Sequence, residues 1–99
     1  MTVDETRSED KLQLNVHGKI DAVSSNEFQQ EVLKAFQKCP NVIINFADTT
    51  YISSAGLRAL LIGQKTAGSK SGRLTIINAN EAVTDVLRVT GLQKVLDIQ

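Results

Sequence analysis

The chain has 99 residues, with 11 basic and 11 acidic side chains and a formal net charge of zero. This length suits one domain with a single core, and we expect residues 1–99 to form it. The balanced charge argues against a nucleic-acid or anionic-membrane surface, since both require a basic excess. The single cysteine cannot form an internal disulfide, and no apolar run approaches membrane-spanning length. We therefore expect a cytoplasmic protein.

The N-terminal part of the chain is predicted to form two strands. Leu12, Leu14 and Val16 alternate with polar residues, which is typical of a strand with one buried face. Residues 2–7 are predicted to pair with it in a hairpin, with residues 8–10 as the turn. Gly18 is expected to end the second strand. His17 lies on the polar face and is interpreted as a surface residue, because no second histidine is present to complete a metal pair.

A helix is predicted to begin at residues 24–27, with Ser24 as its cap. Ser24 and Glu27 have the spacing of a capping box, in which each side chain bonds the backbone N–H of the other. Asp21 precedes it and is interpreted as a turn or capping residue. Pro40 ends the helix. Its apolar stripe consists of Phe28, Val32, Ala35, Phe36 and Cys39.

The central stretch is predicted to run from a strand into a second helix. Residues 42–46 are apolar and β-branched, which predicts a strand buried on both faces. Residues 47–50 are predicted to form a polar turn that contains Asp48. Ser53 is predicted to cap the helix, so that Ser54 is its first residue and lies at the positive end of the helix dipole. The sheet-facing stripe is predicted to be Leu57, Leu60 and Leu61.

The last third of the chain adds another strand and another helix. Residues 68–72 are predicted to be a loop but not a phosphate-binding loop, because a helix precedes and a strand follows them. Residues 73–77 form the predicted strand. Asn78 or Asn80 caps the next helix, which Gly91 ends. Residues 92–96 are predicted to form either a half-strand or a short helix. This alternation of strands and helices predicts an α/β fold, with a parallel inner sheet and an antiparallel N-terminal edge.

Residues 51–57, Tyr-Ile-Ser-Ser-Ala-Gly-Leu, together with Asp48, resemble the central motif of STAS domains. The similarity is greatest to the small anti-sigma factor antagonists of bacteria. Residues 18–21, Gly-Lys-Ile-Asp, are similar to the family's Gly-x-Leu-Asp turn. The resemblance implies a STAS-like fold over the whole chain, with a single-layer mixed β-sheet covered by about three to four helices. It also implies that Ser54, two residues before the Gly-Leu pair, is the phosphorylated serine, with Ser53 as the second choice.

The resemblance further implies an anti-sigma factor antagonist. Unphosphorylated, it would bind an anti-sigma factor that has serine-kinase activity, and phosphorylation would release that partner. A PP2C-type serine phosphatase would reset the switch. Helical spacing puts Ser54, Arg58 and Ile62 on one strip of the central helix. The residues expected to contact the partner are Asp21, Asp48, Ser53, Ser54, Gly56, Arg58 and Ile62.

The sequence is also compatible with two other functions. One is a STAS subunit of a transporter or a stress-signalling complex, without a phosphorylation switch. The other is a small hydrolase or phosphotransfer enzyme, which is disfavoured because the chain has one histidine and one cysteine, no metal-ligand motif and no Gly-x-Ser-x-Gly elbow. We expect no catalytic residue, metal or cofactor. Ser53 stands where many STAS members have an aspartate, so it keeps the cap but removes a charge beside Ser54.

Overall fold

The computed structural model describes all residues, 1–99, and contains five strands, three α-helices and one short 3-10 helix. The hairpin, the strand over residues 73–77 and the helix that ends before Gly91 are confirmed. The last segment contains both predicted alternatives, a 3-10 turn and a short strand. In chain order the elements are β1 (Thr2–Arg7), β2 (Leu12–Ile20), α1 (Ser25–Lys38), β3 (Asn41–Ile52), α2 (Ser54–Ser69), β4 (Arg73–Ile77), α3 (Glu81–Thr90), the 3-10 helix (Leu92–Lys94) and β5 (Asp97–Ile98).

The five strands form one mixed sheet in the order β1-β2-β3-β4-β5. β1 is antiparallel to β2, and the remaining neighbours are parallel. Because the strands follow one another in chain order and parallel crossovers are right-handed, α1, α2 and α3 lie on the same face of the sheet. The predicted fold class, a single mixed sheet covered by helices, is confirmed.

Only one face of the sheet is covered, and the burial of β3 shows this directly. Val42, Ile44 and Phe46 are buried under the helices, whereas Ile43 and Asn45, which point the other way, are only half-buried. The prediction that this strand is buried on both faces is therefore wrong. A sheet needs helices on both faces for that, and here every crossover lies on one side.

β3 is longer than the sequence predicted, because residues 47–50 continue the strand and do not form a turn. Thr49 explains the difference. It is completely buried, and its Oγ1 donates a hydrogen bond to the Val16 carbonyl at 2.9 Å. β2 likewise continues past Gly18, whose φ of +91° is left-handed, and pairs with β3 as far as Ile20. The two strands thus carry their carboxyl ends to the start of α2.

The C-terminal third closes the core around α3. Asn80 is the cap of α3, since its Oδ1 accepts a hydrogen bond from the Val83 N–H at 3.1 Å. Gly91 follows the helix with a φ of 77°, the left-handed conformation that ends many helices. Val83, Leu87 and Leu96 join the buried cluster. None of the helices combines the length and the apolar character that crossing a bilayer requires.

Candidate functional site

The start of α2 is fixed by Ser53 in two ways. The Ser53 side chain accepts a hydrogen bond from the Gly56 N–H at 3.2 Å, so Ser53 is the N-cap, as predicted. The Ser53 N–H donates to the Ile20 carbonyl at 2.8 Å, which ties the beginning of α2 to the end of β2. Two segments that are distant in sequence therefore meet at the carboxyl ends of two neighbouring parallel strands.

Ser54 is the first residue of α2 and is exposed to solvent. Its surroundings differ from those of the other helix starts. The first turns of α1 and α3 contain Glu27 and Glu81, whereas the first turn of α2 contains no acidic residue. The partial positive charge at the start of α2 is thus not offset by an acidic side chain in its first turn, and a negative group on Ser54 is electrostatically favoured there.

Asp21 organises the turn between β2 and α1. Its Oδ1 accepts hydrogen bonds from the backbone N–H groups of Val23 at 3.0 Å and Ser24 at 2.9 Å. The bonds from the Ser24 backbone and hydroxyl, the largest effects, lower the pKa of the Asp21 carboxyl, so the group is ionised at neutral pH. The turn lies beside Ser53 because Ile20, which precedes Asp21, accepts the hydrogen bond from Ser53.

The capping box predicted for α1 is not formed. Ser24 has helical backbone angles, φ −88° and ψ −11°, and its side chain makes no capping hydrogen bond. The Ser24 hydroxyl instead lies 2.9 Å from the Lys19 carbonyl. Asp21 supplies the acceptor for the backbone N–H groups at this end of the helix. The capping-box prediction is therefore wrong: Asp21 Oδ1 accepts the Ser24 N–H that Glu27 would bind in a capping box.

Gly56, predicted to contact the partner, lies below the surface. A Cβ atom at this position would lie 2.8 Å from Ile52 Cγ1 and 2.9 Å from Ile20 Cγ2, so only glycine fits without displacement. Both isoleucines are buried. The structure therefore gives Gly56 a packing role: it lets the first turn of α2 approach the ends of β2 and β3.

The outward strip of α2 is exposed at Ser54 and Arg58 and half-buried at Ile62. The opposite side of the helix differs from the prediction. Leu57 and Leu60 are buried, but Leu61 is only half-buried. Ala59 is completely buried, since α2 packs against α1 as well as against the sheet. The prediction of Leu61 as a sheet-facing residue is therefore wrong, and Ala59 belongs to the buried side of α2 instead.

Asp48 is not near Ser54. It lies five positions before Ser53 on extended strand, which corresponds to roughly 16 Å along the chain. Its Oδ2 is 3.0 Å from His17 Nδ1, and the other ring nitrogen, Nε2, is 2.8 Å from Asp4 Oδ2. Both contacts are favourable together only for the imidazolium form, in which both nitrogens donate. The hydrogen bond to Asp4 is the main reason that the pKa of His17 is raised.

Two exposed apolar side chains beside the α2 start were missed by the sequence reasoning. Val23, in the Asp21 turn, is 89% exposed, and Tyr51, just before the cap, is 48% exposed. Tyr51 was quoted only as part of a motif, and Val23 was passed over as a turn residue. The available signal was that Val23 lies outside every apolar stripe, so no burial within the chain was predicted for it.

These observations agree with the comparisons with known proteins. A family model described as STAS domain matches residues 2–99. The chain belongs to the STAS domain family. This STAS domain is 26% identical over 98 residues to the anti-sigma-B factor antagonist of Bacillus subtilis (strain 168), a match that covers 99% of this chain and 90% of the relative.

Solved structures of other proteins share the fold of this STAS domain. An anti-sigma factor antagonist from Mycobacterium paratuberculosis superimposes with a TM-score of 0.87 at 20% identity, covering 98% of this chain and 83% of that one. The Bacillus protein SpoIIAA in its phosphorylated form gives a TM-score of 0.75 at 15% identity, covering 99% of this chain and 91% of that one. At these identities the comparison concerns the fold alone.

Proposed function

We propose that this STAS domain is an anti-sigma factor antagonist that is switched by phosphorylation of Ser54. The observation that carries the proposal is the exposed Ser54 hydroxyl at the start of α2, in a helix whose cap is supplied by Ser53. Ser54 is thus free for modification without loss of the cap. The names of the relatives, and the existence of SpoIIAA in a phosphorylated form, support this choice of function.

In the proposed cycle, the unphosphorylated domain binds a cytoplasmic anti-sigma factor that has serine-kinase activity. The kinase transfers the γ-phosphoryl group of ATP to Ser54 Oγ: an O–P bond forms, the hydroxyl proton is released, the bond from the γ-phosphorus to the β-phosphate oxygen breaks, and ADP leaves. A PP2C-type phosphatase hydrolyses the phosphoserine and restores the binding form. The phosphate adds a charge of about −1.5 to −2, which a partner in close contact would have to desolvate.

The fold itself is expected to survive this modification. A phosphate at a helix N-terminus lies near unpaired backbone N–H groups and the positive end of the dipole, so the modified state remains folded. Arg58 lies four positions after Ser54 on the exposed strip and forms no ion pair in the structure. Its guanidinium is available either to a partner carboxylate or to the phosphate on Ser54.

The proposal is tested by Ser54→Asp. The acidic side chain at the helix start should leave the melting temperature almost unchanged, while affinity for the anti-sigma factor falls. Ser54→Ala is the control, because it removes the hydroxyl without adding charge and should bind like the unphosphorylated domain. Calorimetric titration and thermal unfolding measure the two quantities separately. Equal binding by the Asp and Ala variants would contradict a switch based on charge at this position.

A further inference from the structure

The Asp21 turn holds one apolar side chain in a fixed position in solvent. Val23 is 89% exposed, and a single exposed valine is ordinary on a protein surface. Val23 differs from an ordinary exposed valine because hydrogen bonds fix the turn that carries it. Asp21 Oδ1 accepts hydrogen bonds from the N–H groups of Val23 and of the next residue, Ser24. The Ser24 hydroxyl also donates to the Lys19 carbonyl. The valine is therefore presented by a hydrogen-bonded turn, and little conformational freedom would be lost on contact.

The position of this turn relates Val23 to Ser54. Ile20, which leads into the turn, is hydrogen-bonded to Ser53, the residue before Ser54. Tyr51, 48% exposed, lies two positions before Ser53 and pairs in register with Lys19, just before the same turn. Two exposed apolar side chains thus lie on the two chain segments that meet at the start of α2.

We propose that Val23, assisted by Tyr51, is an apolar anchor that inserts into an apolar socket on the anti-sigma factor. This inference rests on the proposed function, because the occupant is the protein that binds around Ser54. The segment that carries Val23 is hydrogen-bonded through Ile20 to Ser53, the residue before Ser54, so a partner that covers Val23 would also approach Ser54. A phosphate there keeps its hydration shell, and the apolar contact is lost. Phosphorylation would then act on the anchor directly.

The chain contains a matched control for this anchor. Val89 on α3 is 82% exposed, nearly as much as Val23, and belongs to a different element. Its neighbours on the surface are Asp85, Val86 and Thr90, all on α3 itself, so it is not part of the start of α2. A substitution at Val89 removes the same apolar group from the surface without touching the proposed interface.

The test compares Val23→Ser, Val23→Ile and Val89→Ser in binding to a purified serine-kinase anti-sigma factor of the source organism, without ATP. Burial of a valine side chain predicts that Val23→Ser weakens binding about tenfold or more, while Val23→Ile retains wild-type affinity. Val89→Ser should bind within about twofold of wild type, since it lies outside the interface. Equal melting temperatures would exclude an effect through folding.

The outcomes separate this inference from the proposed function. If the wild-type domain binds the anti-sigma factor and Val23→Ser binds as Val89→Ser does, the anchor is wrong and the proposed function stands. If no serine-kinase anti-sigma factor of the organism binds the wild-type domain, both are wrong. If instead the wild-type domain self-associates and Val23→Ser abolishes this, the valine is a contact between copies of the chain and the inference is overturned.

Discussion

Gly56→Ala probes the close approach that positions Ser54, the proposed phosphorylation site. The added methyl would lie 2.8 Å from Ile52 Cγ1 and 2.9 Å from Ile20 Cγ2. Both atoms belong to β-branched side chains with stiff χ1 angles and are attached directly to Cβ, so neither can swing away freely. Both isoleucines are buried, so the strain has to be absorbed by the backbone at the start of α2 or by the core.

The expected magnitude follows from two opposing effects. Overpacking of a tight core site costs about 1–3 kcal/mol, while replacing a helical glycine by alanine gains up to about 1 kcal/mol. We therefore expect Gly56→Ala to lower the free energy of unfolding by about 1 kcal/mol. Gly68 in the same helix provides the control, since a Cβ there would meet nothing within 4 Å. Gly68→Ala should raise the free energy of unfolding by about 0.5–1 kcal/mol.

The assay is thermal and urea unfolding of the two variants beside wild type. A difference of about 2 kcal/mol between them corresponds to a separation in melting temperature of roughly 8–16 °C for a domain of this size. The sign of the stability change is more informative than its size, because glycine to alanine should destabilise the domain at position 56 and stabilise it at position 68. If Gly56→Ala is as stable as Gly68→Ala, the first turn of α2 does not depend on a glycine, and the packing account of Gly56 is wrong.

Three further predictions concern the cap, the outward strip and the histidine. Ser53→Ala should lower the free energy of unfolding by about 1 kcal/mol through loss of the cap, as measured by urea unfolding; an unchanged value would contradict the capping role. Arg58→Glu should weaken binding to the anti-sigma factor more than the control Lys34→Glu on the exposed side of α1, and calorimetry with equal affinities for both would place Arg58 outside the interface. The raised pKa of His17 means that its contribution to stability is fully present below its ordinary value of 6.5 and is lost as pH rises through the folded-state value. The free energy of unfolding should fall across this pH range in the wild type but not in His17→Gln. The same pH profile for both proteins would refute the stabilising role of His17.

Periodicity predicted most of the fold because the elements have strong local signals. The stripe of α1, the strand Arg73–Ile77 and the glycine that ends α3 each depend on spacing or on one residue with a fixed backbone preference. The extension of β3 was missed because its polar residues suggest a turn. Its cause lies in tertiary contacts, since Thr49 is satisfied by β2 and Asn80 of the α3 cap bonds the Thr49 carbonyl.

In the candidate site, too, features with a local sequence signal were predictable and features set by tertiary structure were not. The Ser53 cap and the position of Ser54 were predictable, because a serine before an apolar helical stripe is a local signal. The separation of Asp48 from Ser54 was not, since it depends on how far the strand continues. The exposure of Val23 also depends on tertiary structure: only the folded chain shows that the turn behind it is held by Asp21 and lies against the start of α2.

The phosphorylation state of Ser54 tests the central claim most directly. The purified domain would be incubated with the serine-kinase anti-sigma factor and ATP, and the modified residue identified by mass spectrometry of the peptide that contains Ser53 and Ser54. We predict one phosphate, on Ser54, with none on the Ser54→Ala variant and undiminished modification of Ser53→Ala. A phosphate on Ser53, or no modification while the two proteins bind, would contradict the account.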